Sequence, residues 1–276
     1  MVAQEHFKAR PTDVLLATYP KSGTTWLKAL LFATVNRSPH TNSHTPFATL
    51  GPHECVPFLE YQVYIKDHIP DLDVIPSPRL FATHIPFRSL PASVIDSGCK
   101  LVYLYRDPKD TFISLWHFAN KFRAKDNIKL WSLNEALEHF CNGISTFGPY
   151  WDHVLGYWNG HLERPQKVLF LKYEEIMQQP VVHLKRLAEF VGCPFTVDEE
   201  KEGGVEGIIR LCAFENLRHL EVNKIGRTEM VIGSVDNSLF FRRGVVGDWV
   251  NHLTPEMARR LEETTASKFR GSGLSF

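Results

Sequence analysis

"ATYPKSGTTW", residues 17–26, decides the reading of this chain. The apolar run "DVLLATY" (13–19) leads into it. A helix-like stretch leaves it, with Trp26, Leu27, Leu30, Leu31 and Thr34 on one face. A strand, a turn through Gly23 and a helix beginning near Thr25 make a cradle for an anion, because the first amides of a helix have no partners inside it. The turn differs from the G-x-x-x-x-G-K-[ST] phosphate loop. Gly23 is followed by Thr24 rather than lysine, the loop opens on Tyr19 rather than glycine, and Lys21 precedes the glycine by two positions.

Three further apolar runs share the character of the first: "RLFATH" (79–84), "KLVYLY" (100–105) and "KVLFLKY" (167–173). Each is continuous rather than alternating, as expected of strands buried on both faces of a parallel sheet. Helices are predicted between and after them. Ser132 with Glu135 makes a capping box, Pro180 opens a helix that stops at Gly192, and Thr254 caps one that starts at Pro255. The expected fold is α/β: a single doubly wound domain over residues 1–276, with a central parallel sheet, helices on both faces and a P-loop-like anion-binding turn. Ligands of such sheets bind beyond the C-terminal strand ends. Those ends carry the 17–26 loop, His84, "RDPKDTFIS" and Tyr173. Residues 39–78 hold seven prolines and residues 203–247 seven glycines, outside the strand–helix rhythm. The first is expected to form part of an acceptor wall and the second a cover over a ligand.

Composition narrows the function. Lys plus Arg equals Asp plus Glu, 31 each, so no general polyanion surface is implied and an anion site must be local. The five cysteines are scattered, with no C-x-x-C pair, which argues against a disulfide framework or a zinc site and suits a reducing compartment. The start "MVAQEHFKARPTD" has no apolar signal region, and no apolar stretch reaches membrane length. A cytoplasmic enzyme with no nucleic-acid partner, no membrane partner and no metal is expected.

"YPKSGTTW", "ATHIPF", "VYLYRDPKDTFIS", "LKYEEI" and "FRRGVVGDW" occur in this order over nearly the whole chain. Together they resemble the cytosolic sulfotransferases, and plant members in particular. The resemblance implies transfer of a sulfuryl group from 3′-phosphoadenosine 5′-phosphosulfate (PAPS) to a hydroxyl of a small metabolite, such as a flavonoid, steroid, hormone or related phenol. It implies His84 as general base and Lys21 as the cation that stabilises the leaving phosphate. Ser22, Gly23, Thr24 and Thr25 would hold the 5′-phosphosulfate. Trp26, Tyr173, Cys212 and Phe214 would meet the adenosine. Arg106, Ser114, Arg242, Arg243 and Gly244 would hold the 3′-phosphate, and Phe58, Tyr61, Phe81, Phe118 and His84 would line the acceptor pocket.

The chemistry suits these residue types. Imidazole accepts a proton at neutral pH, ammonium follows a developing charge, and guanidinium grips phosphate oxygens in pairs. Each residue also has an ordinary reading. Twelve of the 13 histidines are expected to be structural or exposed, Arg106 could pair with Asp107 or Asp110, and the aromatics could be plain core. The chain departs from the animal pattern at Ala82, where a lysine is usual, and at Cys212, where threonine or serine is usual. It lacks the short dimerisation motif after "GDW", so a monomer or weak dimer is expected. Its start is also shorter than the family's, as in a trimmed or naturally short form. The alternatives are a P-loop-like nucleotide kinase, which would need magnesium and ATP, and a non-catalytic PAPS-binding protein.

Overall fold

The computed structural model describes residues 2–37, 47–65 and 69–275. The four apolar runs form one parallel sheet of β1 (Val14–Thr18), β2 (Leu80–Thr83), β3 (Lys100–Tyr105) and β4 (Val168–Lys172), in the order β2-β1-β3-β4. Leu16 of β1 lies between Ala82 and Val102 in register. The runs are continuous because helices cover both faces. Leu15, Leu101 and Tyr103 pack against helices Tyr150–Glu163 and Pro255–Phe269. Leu16, Val102 and Leu104 pack against helices Thr24–Val35 and Pro180–Phe190. This is the expected doubly wound α/β arrangement.

The anticipated caps are present. Ser132 and Glu135 form their reciprocal box, Pro180 opens its helix, and the Thr254 hydroxyl accepts from the Met257 amide. The two segments outside the rhythm are more ordered than loops. Residues 203–247 contain helices Gly204–Leu211, Phe214–His219 and Glu221–Lys224, then a hairpin of β5 (Arg227–Met230) and β6 (Gly233–Asp236). Within 39–78, Pro52–Cys55 is a helical turn and Leu59–Val63 a π-helical turn, while 38–46 and 66–68 lie outside the described residues. The π turn is closed by Val63 N–H to Phe58 O and Tyr64 N–H to Leu59 O, 3.0 Å each. No described helix is long and apolar enough to cross a membrane.

β1 is flanked by β2 on one side and β3 on the other, so the chain leaves its C-terminal end into a crevice between diverging connections. The opposite end of the sheet is locked. Arg79 donates Nε and Nη2 to the two oxygens of Asp13 at 2.8 and 2.5 Å, and both side chains are about fully buried. Arg79 also donates to the Lys8 carbonyl, and Asp13 accepts from the Arg10 amide. Removing one partner strands a buried charge, which typically costs about 3–5 kcal/mol. Asp13→Ala is therefore expected to lower unfolding free energy by that amount in urea titration. A loss under about 1 kcal/mol would show that the pair does not lock the sheet.

Candidate active site

The loop after β1 is shaped by two left-handed residues, Lys21 at φ 69° and Gly23 at φ 101°. Gly23 is doubly constrained, since a Cβ there would stand 2.7 Å from Tyr173 Cδ2. The loop ends in the helix Thr24–Val35, whose N-terminus receives no side-chain cap. Its first amides therefore face the crevice as donors. The threonine hydroxyls are held: Thr24 Oγ1 is 2.6 Å from Thr18 Oγ1, and Thr25 Oγ1 is 3.0 Å from His53 Nε2.

His84 follows β2 and is buried at 7% exposure. Its ring Nδ1 lies 2.7 Å from the Thr18 carbonyl. A carbonyl only accepts, so Nδ1 carries the proton and Nε2 keeps its lone pair. Among the described residues Nε2 has no hydrogen-bond partner, and His84 lines the cavity. The backbone is fixed too. His84 N–H donates to Glu60 Oε1 at 2.6 Å, and His84 O lies 2.9 Å from His153 Nε2. Burial, opposed by the bond to Thr18 O and aided by the charges of Lys28, His153 and Lys21, pulls the imidazole pKa down to about 3. The ring is thus neutral at physiological pH, with Nε2 unprotonated.

Across the crevice, Arg106 follows β3 and packs over the Tyr173 ring at 4.5 Å. Its Nη2 donates to Val245 O at 2.8 Å and lies 3.4 Å from Asp110, but its buried Nε has no partner among the described residues. The same holds for Arg242 Nε and Ser22 Oγ. Buried Asp248 binds both Arg242 and Arg243. Gly244, at φ 66°, sits so close to Phe214 that any side chain would collide with the ring. Asp110 accepts from the Gly247 and Trp249 amides at 2.7 and 3.0 Å, which pins this segment to the helix Pro108–Lys125 carrying buried Ser114.

These groups line one cavity of about 360 Å³. It brings together Lys21, Gly23, Thr24, Thr25, Trp26, Phe58, Tyr61, His84, Arg106, Ser114, Phe118, Tyr173, Phe214, Arg242, Arg243 and Gly244. Three expected residues are not on its wall. Phe81 lies in the core on the other face of the sheet, edge-on to Phe7 at 5.4 Å. Cys212 is fully buried in core, where burial pushes its thiol pKa up. Ser22 lies beneath the loop at 1% exposure. His53, Met230, Ile232, Phe240 and Phe241 line the cavity without having been anticipated, and Phe147 packs 5.4 Å from the His84 ring. The only hint in sequence was their place in the two irregular segments. Among the described residues no group of three or more His, Cys, Asp or Glu is placed to hold a metal ion.

The sulfotransferase domain family matches residues 11–273. Cytosolic sulfotransferase 16 of Arabidopsis thaliana is 48% identical over 275 residues, 99% of this chain and 80% of that protein. Cytosolic sulfotransferase 8 of the same plant is 47% identical, covering 98% of this chain and 80% of its own length. Among solved structures, an Arabidopsis thaliana protein provisionally assigned as a steroid sulphotransferase is 40% identical with a TM-score of 0.76, over 100% of this chain and 82% of that one. A mouse sulfotransferase crystallised with PAP is 29% identical with a TM-score of 0.72, over 99% and 90%.

Lys21 places Nζ 3.9 Å from the Phe118 ring centroid. Burial, with the charges of Lys121, Arg242 and Arg106, lowers its pKa to about 7. A lysine so depressed is charged below that pH and loses charge above it. Sulfate, which stays ionised throughout, is therefore expected to bind progressively more weakly above about pH 7, with the charged fraction falling about tenfold per unit. Lys21→Arg should abolish the dependence. Titration of intrinsic fluorescence with sulfate across this range measures it, and a flat wild-type profile would remove Lys21 from the anion site.

Proposed function

The chain belongs to the sulfotransferase family, and we propose that it sulfates a hydroxyl of a small, uncharged, ring-bearing metabolite, with His84 and Lys21 as its catalytic residues. It is a PAPS-dependent sulfotransferase, and residues 1–276 act as one domain. The cavity fits PAPS on the evidence of its own side chains. Arg106 and Arg242, which line the same cavity as His84, each keep a buried guanidinium Nε–H without a partner among the described residues. Buried donors are rarely left unpaired unless a ligand completes them. That observation carries the reading. PAP bound to the mouse relative supports it.

In this reading Arg106, Ser114 and the Arg242–Gly244 segment hold the 3′-phosphate, and Trp26, Tyr173 and Phe214 the adenine. The loop amides with Thr24 and Thr25 hold the 5′-phosphosulfate. When bound, PAPS supplies the sulfuryl group and departs as PAP. His84 Nε2 takes the acceptor's proton, while Thr18 O and Glu60 hold the ring and backbone in place. Lys21 stabilises charge that develops on the leaving phosphate, a role suited to a compact ammonium on a mobile stem. Its contact with Phe118, a residue assigned to the acceptor wall, supports that reading.

Around His84 stand Phe58, Tyr61 and Phe147, with Met230 and Ile232 from the hairpin further along the cavity. No carboxylate lines the cavity among the described residues. An apolar, ring-rich wall favours a neutral flavonoid, steroid, hormone or related phenol or alcohol. The names of the plant relatives favour the cytosol. A panel of such compounds incubated with PAPS and read by mass gain identifies the acceptor.

Two measurements test the roles. His84→Ala is expected to lower kcat by about 10²–10⁴ with PAP affinity unchanged. A variant that keeps most of its activity would exclude His84 as the base. PAP should bind about 10²–10⁴ more tightly than AMP, because two or three charge-assisted bonds each contribute about 1.5–3 kcal/mol. Arg106→Ala should erase most of that preference in calorimetry. Equal binding of PAP and AMP by the wild type, with magnesium-dependent ATP turnover, would return the kinase reading.

A further inference from the structure

Lys28 is fully buried on the cradle helix, one turn beyond Lys21–Thr25, and pairs with no carboxylate within 4 Å among the described residues. Burial pulls the Lys28 pKa well below the usual lysine range and the charge of Glu60 opposes it, while Glu60 itself is taken up by the His84 amide and the Thr83 hydroxyl. A lysine buried without a counter-ion is costly and would be replaced by leucine or methionine if it served only to fill space. Its Nζ meets two electron-rich groups: the Phe58 ring face, 3.3 Å from the centroid, and His53 Nδ1 at 3.1 Å. The ring face takes an N–H hydrogen, and His53 Nδ1 takes another in the tautomer that carries its proton on Nε2. His53 is 4% exposed, lies 4.0 Å from the Phe240 ring, and presents its other nitrogen to Thr25 Oγ1.

We propose that Lys28 and His53 are positioning residues that turn the Thr25 hydroxyl proton into the anion cradle. With Nδ1 accepting from Lys28, the neutral imidazole carries its proton on Nε2. Nε2–H then donates to Thr25 Oγ1, so the hydroxyl's own hydrogen is free to point away, into the cavity that Thr25 lines. Without Lys28 the other tautomer is open to His53, Thr25 would donate back to the ring, and its lone pairs would face the anion instead. The arrangement aligns three donors in series toward one negative group, and each polarises the next. It mirrors the second-sphere control of histidine tautomers at metal sites. The proposal rests on the reading that this cradle holds the 5′-phosphate end of the nucleotide.

The test compares PAP with adenosine 3′-phosphate, which lacks the 5′-phosphate, by calorimetry on the full chain. Wild type is expected to prefer PAP. Lys28→Met should weaken PAP binding by about tenfold, the scale of one charge-assisted bond, and leave adenosine 3′-phosphate unchanged. In a Thr25→Val background the same substitution should change neither ligand further. Equal weakening of both ligands by Lys28→Met would reduce Lys28 to a structural role and overturn the proposal. So would an undiminished preference for PAP. Failure of wild type to bind PAP at all would instead overturn the nucleotide reading beneath it. A measurement on wild type alone covers a Lys28→Met protein that does not fold. The ¹⁵N shifts of the His53 ring, assigned with His53→Gln, should show the proton on Nε2, and a proton on Nδ1 overturns the proposal.

Discussion

The bond from His84 Nδ1 to the carbonyl of Thr18 ties the two halves of the site together. Thr18 is the last residue of β1, and its own hydroxyl holds Thr24 at the helix start. One strand end therefore orients the loop before the cradle helix with its side chain and the His84 imidazole with its backbone. Any shift of β1 along the sheet would move loop and base together. β1 is paired on both sides, so such a shift would break two ladders at once. His153 and Tyr157 reinforce the same point from the next helix, by bonds to the carbonyls of His84 and Ile85. His84 is thus held through its ring, its amide and its carbonyl.

The anion end is organised by carboxylates rather than by phosphate. Asp248 gathers Arg242 and Arg243, and Asp110 fastens the turn behind them through the amides of Gly247 and Trp249. The two guanidinium groups are thus fixed by protein carboxylates, with the buried Arg242 Nε left without a partner among the described residues. Pre-placement reduces the ordering cost of binding. Asp248 also limits the net charge of the site, which suits a chain whose surface carries no overall positive field.

The strands, the loop and the residues that line the cavity at the strand ends were legible because they sit where the chain changes character. Lys21, His84, Arg106 and Tyr173 each stand just past a continuous apolar run. The facing of residues inside a run was not legible. In a sheet covered on both sides every position is apolar, so Phe81 and Ala82 carry no mark of which face they occupy. The register put Phe81 against Phe7, away from the cavity. Cys212 was misplaced for a related reason, because a small residue beside an adenine site and one in the core beneath it look alike. Lys28, His53 and Glu60 escaped because their roles arise from contacts between segments 23 to 28 residues apart, and neither periodicity nor spacing encodes those contacts. The irregular segments supply residues to the cavity wall, but their helices and hairpin are short, and short elements leave weak patterns.

The distance in sequence between the two sides of the site has a consequence for synthesis. Arg106 reaches Val245 and Asp110 reaches Gly247 and Trp249, partners 137 to 139 residues apart. On a ribosome the sheet through β4 is complete well before these residues emerge. The 17–26 loop and His84 can then be in place while Arg242 and Arg243 have yet to leave the exit tunnel. Contacts of such separation form late and slowly. The nascent chain thus passes through a period with a built sheet and an open apolar cleft. In that period the cleft is exposed to the cell without the ligand that would fill it.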